Sequence, residues 1–400
     1  MSGKSCADIV THARVSSWFL GPRAENFPFL SEFMLHVLND QRKARESTYP
    51  DDPDFIKEEV METEEFLASM DGLRRNVKAL SKRLAKNSIP FYSPRYNGHM
   101  LMDTTIPSIV GYMAAMMYNP NNVATEASPV TTEYERAVGM QLCELLGYGG
   151  AKLPWGSPPE PNMDSLGREI TPWGHITCDG SVANLEAIWA TRNLKFYPLS
   201  LKLAMEENGP LNFLARTKSN FQVKTCQGVK KLFKELSIWE LLNLTPETVL
   251  DLPTYLYKRY LISPSFLEKS LKSSLVQTVG TRNLENQFNL QPGHFFISAT
   301  KHYSWPKGGA ITGLGSASFI DVKVDHAARM NLKDLDRRLR ESLDNKVPVF
   351  GVVAIIGSTE HGACDPLEGI VALRKRYQAE GLSFAIHCDA AWGILCIYVA

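Results

Sequence analysis

The pattern of apolar and polar positions changes character along the chain. Residues 54–86 are charged and helix-prone, and 89–125 is rich in Tyr, Met, Asn and Pro, so 1–125 reads as an N-terminal arm of helices and loops. A helix is predicted next, with Ser128 as its cap and Pro129 at its first position, where a missing N–H is harmless. Val138, Leu142, Leu145 and Leu146 fall on one face of that helix. Five prolines and four glycines make 149–172 an irregular connection. From 174 onward the pattern turns to strand, turn and helix: a short strand at 175–178, a turn at 179–181 and a helix over 182–195. Residues 198–294 are polar, with helix-like stretches and no assignable chemistry, and read as a candidate insertion. Strands are predicted at 295–299, 319–324, 349–356 and 384–388. Leu332, Leu335, Leu339 and Leu343 mark a helix between the second and third of these, and 366–380 supplies one before the fourth. Strands alternating with helices imply an α/β fold with a mostly parallel sheet covered on both faces. Ligands of such sheets sit at the carboxyl ends of the strands.

Composition narrows the function classes. The chain has 400 residues, 44% apolar and 22% charged, as expected for a large globular domain with an extra segment. Lys plus Arg and Asp plus Glu both number 43, so no global field favours nucleic acid or an acidic membrane. The seven cysteines, at 6, 143, 178, 226, 364, 388 and 396, form no C-x-x-C pair, which argues against a zinc knuckle or a secreted disulfide framework. No metal site is expected. The N-terminus lacks a signal-peptide pattern, and no run reaches the roughly 18 apolar residues of a membrane helix. A cytoplasmic protein without a membrane partner is expected.

Four elements carry candidate chemistry. Small residues at Gly180–Asn184 open a helix, leaving backbone N–H groups that suit a phosphate or that a simple cap would satisfy. His302 follows a strand, where imidazole can stack on a planar cofactor, shuttle a proton, or be a polar loop residue. Ser358 and Thr359 follow the apolar strand 349–356, as partners for a ligand's polar edge or as a turn cap. Asp389 ends a strand and is followed by Ala390 and Ala391, which let something flat approach. A buried aspartate requires a cation or donors. A protonated pyridine nitrogen is one such partner, and a cap of the next helix is the alternative.

Six blocks then carry a resemblance: SSWFLGPRAEN (16–26), the long stretch 93–135, WGHITCDGSVANLEAIWATRNLK (173–195), TKHYSW (300–305), GVVAIIGSTEHGACDP (351–366) and HCDAAWG (387–393). In this order they resemble the group II pyridoxal-phosphate-dependent decarboxylases, and most of all the microbial L-tyrosine decarboxylases of that group. The resemblance implies an aspartate-aminotransferase-type (fold type I) large domain over 126–400, with a mostly parallel seven-stranded sheet that is incomplete here. It also implies a homodimer with residues of both subunits at each site. The cofactor would be pyridoxal 5′-phosphate. Ser181, Val182 and Ala183 match the phosphate cradle, and Thr359 a residue at the cofactor's polar edge. Asp389 matches the partner of the ring nitrogen, and Ala391 the small residue under the ring. His302 matches the histidine that stacks on the ring and assists protonation. His99 lies in the segment that resembles the family's substrate side. The expected reaction is decarboxylation of an L-amino acid, most simply tyrosine or another aromatic one. A glutamate-type decarboxylase or a related carbon–carbon lyase is the alternative within the class.

The pattern departs from the family at its end. The family's Schiff-base lysine follows the Asp-Ala-Ala strand, whereas the last lysine here is Lys375, and Lys301 stands in a block whose lysine has another place. Residues 394–400 do not continue the family's pattern, and the small C-terminal domain is absent. The expectation is a C-terminally truncated form, inactive by itself, with read-through into an intron after Gly393 as one origin. An inactive homologue serving as a dimerisation partner, or an unstable product, are the other readings.

Overall fold

The computed structural model describes residues 6–98, 101–148, 172–216 and 220–393. Two compact units divide the chain, Met1–His175 and Ile176–Ala400.

The first unit is helical: α1 (Cys6–Ser16), α2 (Phe27–Thr48), α3 (Glu58–Met61), α4 (Glu64–Asn87), α5 (Ile106–Tyr118) and α6 (Thr131–Leu145). Hydroxyl caps start two of them. Thr63 accepts from the N–H of Phe66 at α4, and Thr105 from that of Ser108 at α5. Helix α6 starts at Thr131, later than Pro129, because the Ser128 hydroxyl bonds that of Thr131 and no backbone N–H. The expected face of α6 is also not the buried one. Ala137, Gly139, Met140 and Cys143 are buried, while Val138, Leu145 and Leu146 are exposed. Close backbone approach selects the small residues: a Cβ on Gly139 would stand 2.0 Å from the carbonyl oxygen of Gly174.

The second unit opens with α7 (Gly180–Ala204), capped by the Asp179 carboxylate, which accepts the N–H of Val182 at 2.8 Å. The helix runs through Pro198, past its expected end at 195. An interior proline costs about 3 kcal/mol, but Phe196, Leu199 and Leu201 beside it are almost fully buried. Each contributes roughly 1.5–3 kcal/mol, so burial outweighs the lost hydrogen bond. The hairpin β1 (Gln222–Lys224) and β2 (Lys230–Leu232) follows, then α8 (Ile238–Leu242), α9 (Pro246–Tyr260), α10 (Pro264–Leu271), α11 (Val276–Val279) and α12 (Thr281–Gln287). Residues 198–294 are therefore richly structured. Leu211, Phe221, Phe233, Leu241, Leu256 and Leu271 from this stretch share one apolar cluster with α7 and the sheet.

The sheet comprises β3 (His294–Ser298), β4 (Phe319–Val322), β5 (Val349–Ile355) and β6 (Ala385–Asp389), with α13 (Ser304–Ile311), α14 (Leu332–Asp344) and α15 (Leu367–Glu380) between them. Its order is β4-β3-β5-β6 and every pairing is parallel, as the alternation of strands and helices implies. Ile297 and Val353 face the α7 cluster, while Phe296, Val352 and Ala354 pack with Leu335, Leu339 and Tyr377 of α14 and α15. Where His294 pairs with Val349 and Phe295 with Gly351, β5 carries one extra residue, Phe350. This bulge turns Phe350 to the α7 side, stacked on Phe295 with ring centroids 5.4 Å apart. Among the described residues this parallel sheet has four strands, against the seven of the expected complete sheet. The strand expected at 175–178 is absent. Its residues pair with no neighbouring strand among the described residues, and Ile176 stays exposed. No helix among the described residues is long and apolar enough to cross a membrane.

Lys195 of α7 is buried, donating from Nζ to the carbonyl of Ser383 at 2.7 Å. Burial lowers its pKa to about 7. Between that value and the ordinary lysine range, the unfolded amine binds a proton that the folded one lacks, so stability rises with pH at up to about 1.4 kcal/mol per unit. Lys195→Met is expected to remove this slope and to stabilise the protein at neutral pH, read from urea denaturation between pH 7 and 10.

Candidate active site

A parallel sheet gathers its loops at one edge. β3 leads to β4 on one side, while β5 lies on the other, so the crevice beyond the carboxyl ends of β3 and β5 is a topological switch point. His302 follows β3, Thr359 follows β5, and Asp389 is the last residue of β6.

Asp389 is the centre of the polar contacts there. Its Oδ2 accepts from Asn184 Nδ2 at 3.1 Å and from the indole Nε1–H of Trp305 at 2.9 Å. Both donors are buried. Among the described residues none donates to Oδ1. Trp305 also meets the ring of His387 edge-on, with centroids 5.2 Å apart. Burial lowers the pKa of His387, and the charge of Asp389 opposes that shift. Asn184 Nδ2 lies 3.1 Å from Ser304 Oγ, which in turn is 2.9 Å from His302 Nδ1. The hydrogen-bonded line thus runs from His302 to Asp389 through Ser304 and Asn184.

The start of α7 lies beside this line. Ser181 is three residues before Asn184, about 4.5 Å along the helix axis. A Cβ on Gly180 would stand 3.9 Å from that of Ala391. At this helix start the N–H of Val182 goes to the Asp179 carboxylate and that of Ala183 to the Asp179 carbonyl. The N–H groups of Gly180 and Ser181 have no acceptor among the described residues; of the three positions read as a phosphate cradle, Ser181, Val182 and Ala183, only Ser181 keeps an open N–H.

The exits of β5 and β6 touch through glycines. Gly357 has φ +89, and a Cβ there would stand 3.1 Å from Cβ of Trp392. A Cβ on Gly393 would stand 1.9 Å from the carbonyl oxygen of Ile356. Asp365 pins the end of β5, accepting the N–H of Ile355 at 2.8 Å and that of Met330 at 2.7 Å. Burial raises its pKa against those two bonds. Thr359 is half-buried in the turn after Ser358. Lys301 is ion-paired with Asp321. His99 lies outside the described residues.

Most of the expected site residues therefore come together: Ser181, Val182, Ala183, His302, Asp389 and Ala391 by contact or chain adjacency, and Thr359 at the neighbouring strand end. Asn184, Ser304 and Trp305 were missed. They stand inside the blocks 173–195 and 300–305, yet no local signal tells that side chains there reach Asp389 far along the chain.

This geometry suits a flat cofactor with an anionic end. Asp389 Oδ1 is open to a protonated ring nitrogen, Ala391 leaves room near it, and Gly180 and Ser181 offer N–H groups at a helix start. Residues 272–397 match the pyridoxal-dependent decarboxylase conserved domain. Over 381 residues the chain is 33% identical to L-tyrosine decarboxylase of Levilactobacillus brevis, covering 95% of this chain and 51% of that protein. It is 31% identical to L-tyrosine decarboxylase of Enterococcus faecium over 380 residues, 95% of this chain and 52% of that one.

The chain is similar to pyridoxal-dependent decarboxylases.

It spans about half the length of the curated relatives it matches. Among solved structures, mouse CSAD in apo form aligns over 92% of this chain and 56% of its own, with 20% identity and a TM-score of 0.46. The matched domain is that of pyridoxal-dependent decarboxylases and the two relatives are decarboxylases, in line with the reaction class and cofactor that the sequence blocks imply.

Gly393→Ala is expected to destabilise the second unit by about 1–3 kcal/mol, because the added methyl meets a backbone carbonyl that cannot rotate away. Urea denaturation at neutral pH measures this, and an unchanged midpoint would refute the tight contact of the two strand exits.

Proposed function

We propose that the protein containing this chain decarboxylates an aromatic L-amino acid, tyrosine first, with pyridoxal phosphate held by the residues described above. The convergence of Asp389 and the start of α7 at one sheet edge is the observation that carries this reading. The bound cofactor supplies the electron sink for the pair left when carbon dioxide departs. Asp389 faces the ring nitrogen through its open Oδ1, held in place by Asn184 and Trp305. Ser181, with Gly180, takes the phosphate at the α7 dipole, and Val182 and Ala183 complete the bend. His302 is the catalytic side chain at the ring face, Ala391 packs beneath the ring, and Thr359 meets its polar edge. The long similarity to two L-tyrosine decarboxylases supports an aromatic substrate.

In the intact protein, Asp389→Asn is expected to lower tyramine formation on the order of 10²-fold, the magnitude for losing a preorganised charge. Product is read by chromatography with L-tyrosine and L-glutamate supplied in parallel. Unchanged turnover in the variant would overturn the role of Asp389. Glutamate consumed in preference to tyrosine would overturn the substrate while leaving the reaction class.

A cytoplasmic homodimer is part of this proposal. Cys143, Cys178, Cys226, Cys364 and Cys388 are free thiols, which fits a reducing compartment. On α4, Met70, Leu73, Val77, Leu80 and Leu84 recur at three- and four-residue spacing, and the last four are each more than half exposed. The helix begins with Glu64, Glu65 and Asp71 and ends with Lys82, Arg83 and Lys86. Antiparallel pairing of two copies would set acidic ends against basic ends. Leu73→Glu with Leu80→Glu is expected to shift the protein toward monomer in sedimentation velocity; an unmoved dimer would remove α4 from the interface.

A further inference from the structure

The buried line between His302 and Asp389 has a direction that its donors impose. Trp305 Nε1–H can only donate, so Asp389 Oδ2 presents lone pairs at that corner. Asn184 must therefore turn its amide NH₂, and not its oxygen, toward Oδ2 at 3.1 Å. The same nitrogen lies 3.1 Å from Ser304 Oγ, so its second hydrogen goes to the hydroxyl. The hydroxyl's own hydrogen is then left for His302 Nδ1, 2.9 Å away. The backbone N–H of Ser304, another compulsory donor, also lies 3.3 Å from Nδ1. Two donors thus converge on one ring nitrogen, which has to supply the lone pair. Asn184 and Ser304 are 5% and 2% exposed, so water does not readily replace either partner.

We infer that Asn184 and Ser304 are positioning residues that fix the tautomer of His302, keeping the ring hydrogen on Nε2. Among the described residues Nε2 has no hydrogen-bond partner. It is a preset donor, and what fits it is an acceptor oxygen of the bound ligand, such as the carboxylate of an amino acid. That use rests on the proposed decarboxylase reading; the tautomer itself does not.

Histidine-selective ¹⁵N labelling tests this on the protein without cofactor or amino acid, with His302 assigned through His302→Gln. The unchanged protein is expected to show an acceptor-type Nδ1 and a protonated Nε2. Ser304→Ala is expected to raise the share of the Nδ1–H form several-fold, moving both nitrogen signals toward each other. Asn184→Leu, which frees the Ser304 hydroxyl to turn, is expected to move them the same way. Ser304→Thr, which keeps the hydroxyl, is expected to restore the original signals. Hydrogen on Nδ1 in the unchanged protein, or signals in Ser304→Ala identical to it, would overturn the inference. Failure to form amine would sink the proposed reaction and leave this result standing, since the measurement needs no substrate.

Discussion

A carboxylate at the end of a half-buried parallel strand is best held by donors, and much of the site follows from how Asp389 finds them. Two come from elsewhere in the chain: an amide in the first turn of α7 and an indole in α13. Each donor draws its helix to the carboxyl end of β6. The helix start that offers N–H groups and the loop that carries His302 arrive at the same place because both answer the same charge. An aliphatic residue at 389 would leave Asn184 and the Trp305 indole N–H with hydrogens pointing at nothing, which costs about as much as a lost buried hydrogen bond each.

The scaffold beneath this edge depends on packing from both sides. One face of the sheet meets α14, whose leucines recur at helical spacing, and α15, through Ile370 and Tyr377. The other meets α7 and the elements of 198–294, which supply much of the larger apolar cluster. The same close packing encloses Lys195, whose ammonium stem reaches Ser383 near the start of β6. Burying that amine is unfavourable at neutral pH, and the fold tolerates it because Phe196, Leu199 and Leu201 on the same helix gain burial. Helix α7 thereby links the base of the sheet at Ser383 to its working edge at Asp389.

The local layer was largely legible. Strands β3 to β6, α14 and α15 were readable to within a residue or two from apolar runs and leucine spacing. The blocks around 181, 302, 359 and 389 mark strand ends and a helix start by their local chemistry alone. The misreadings share a cause. Residues 175–178 have strand character, but a strand exists only beside a partner. Pro198 reads as a helix stop, but burial on both sides of it overrides one missing hydrogen bond. The apolar face of α6 is outvoted by glycine, because only a residue without Cβ admits the backbone at Gly174.

By itself the sequence determined the class of the fold, the order of its strands and helices along the chain, and the residue types at each strand end, since these rest on periodicity and on local chemistry. Only the tertiary structure decided that Oδ2 of Asp389 is met by Asn184 and Trp305, that Ser304 stands between Asn184 and His302, and that Phe350 turns to the α7 side. Such choices depend on which distant groups compete for one lone pair or one cavity, and no window along the chain contains both competitors.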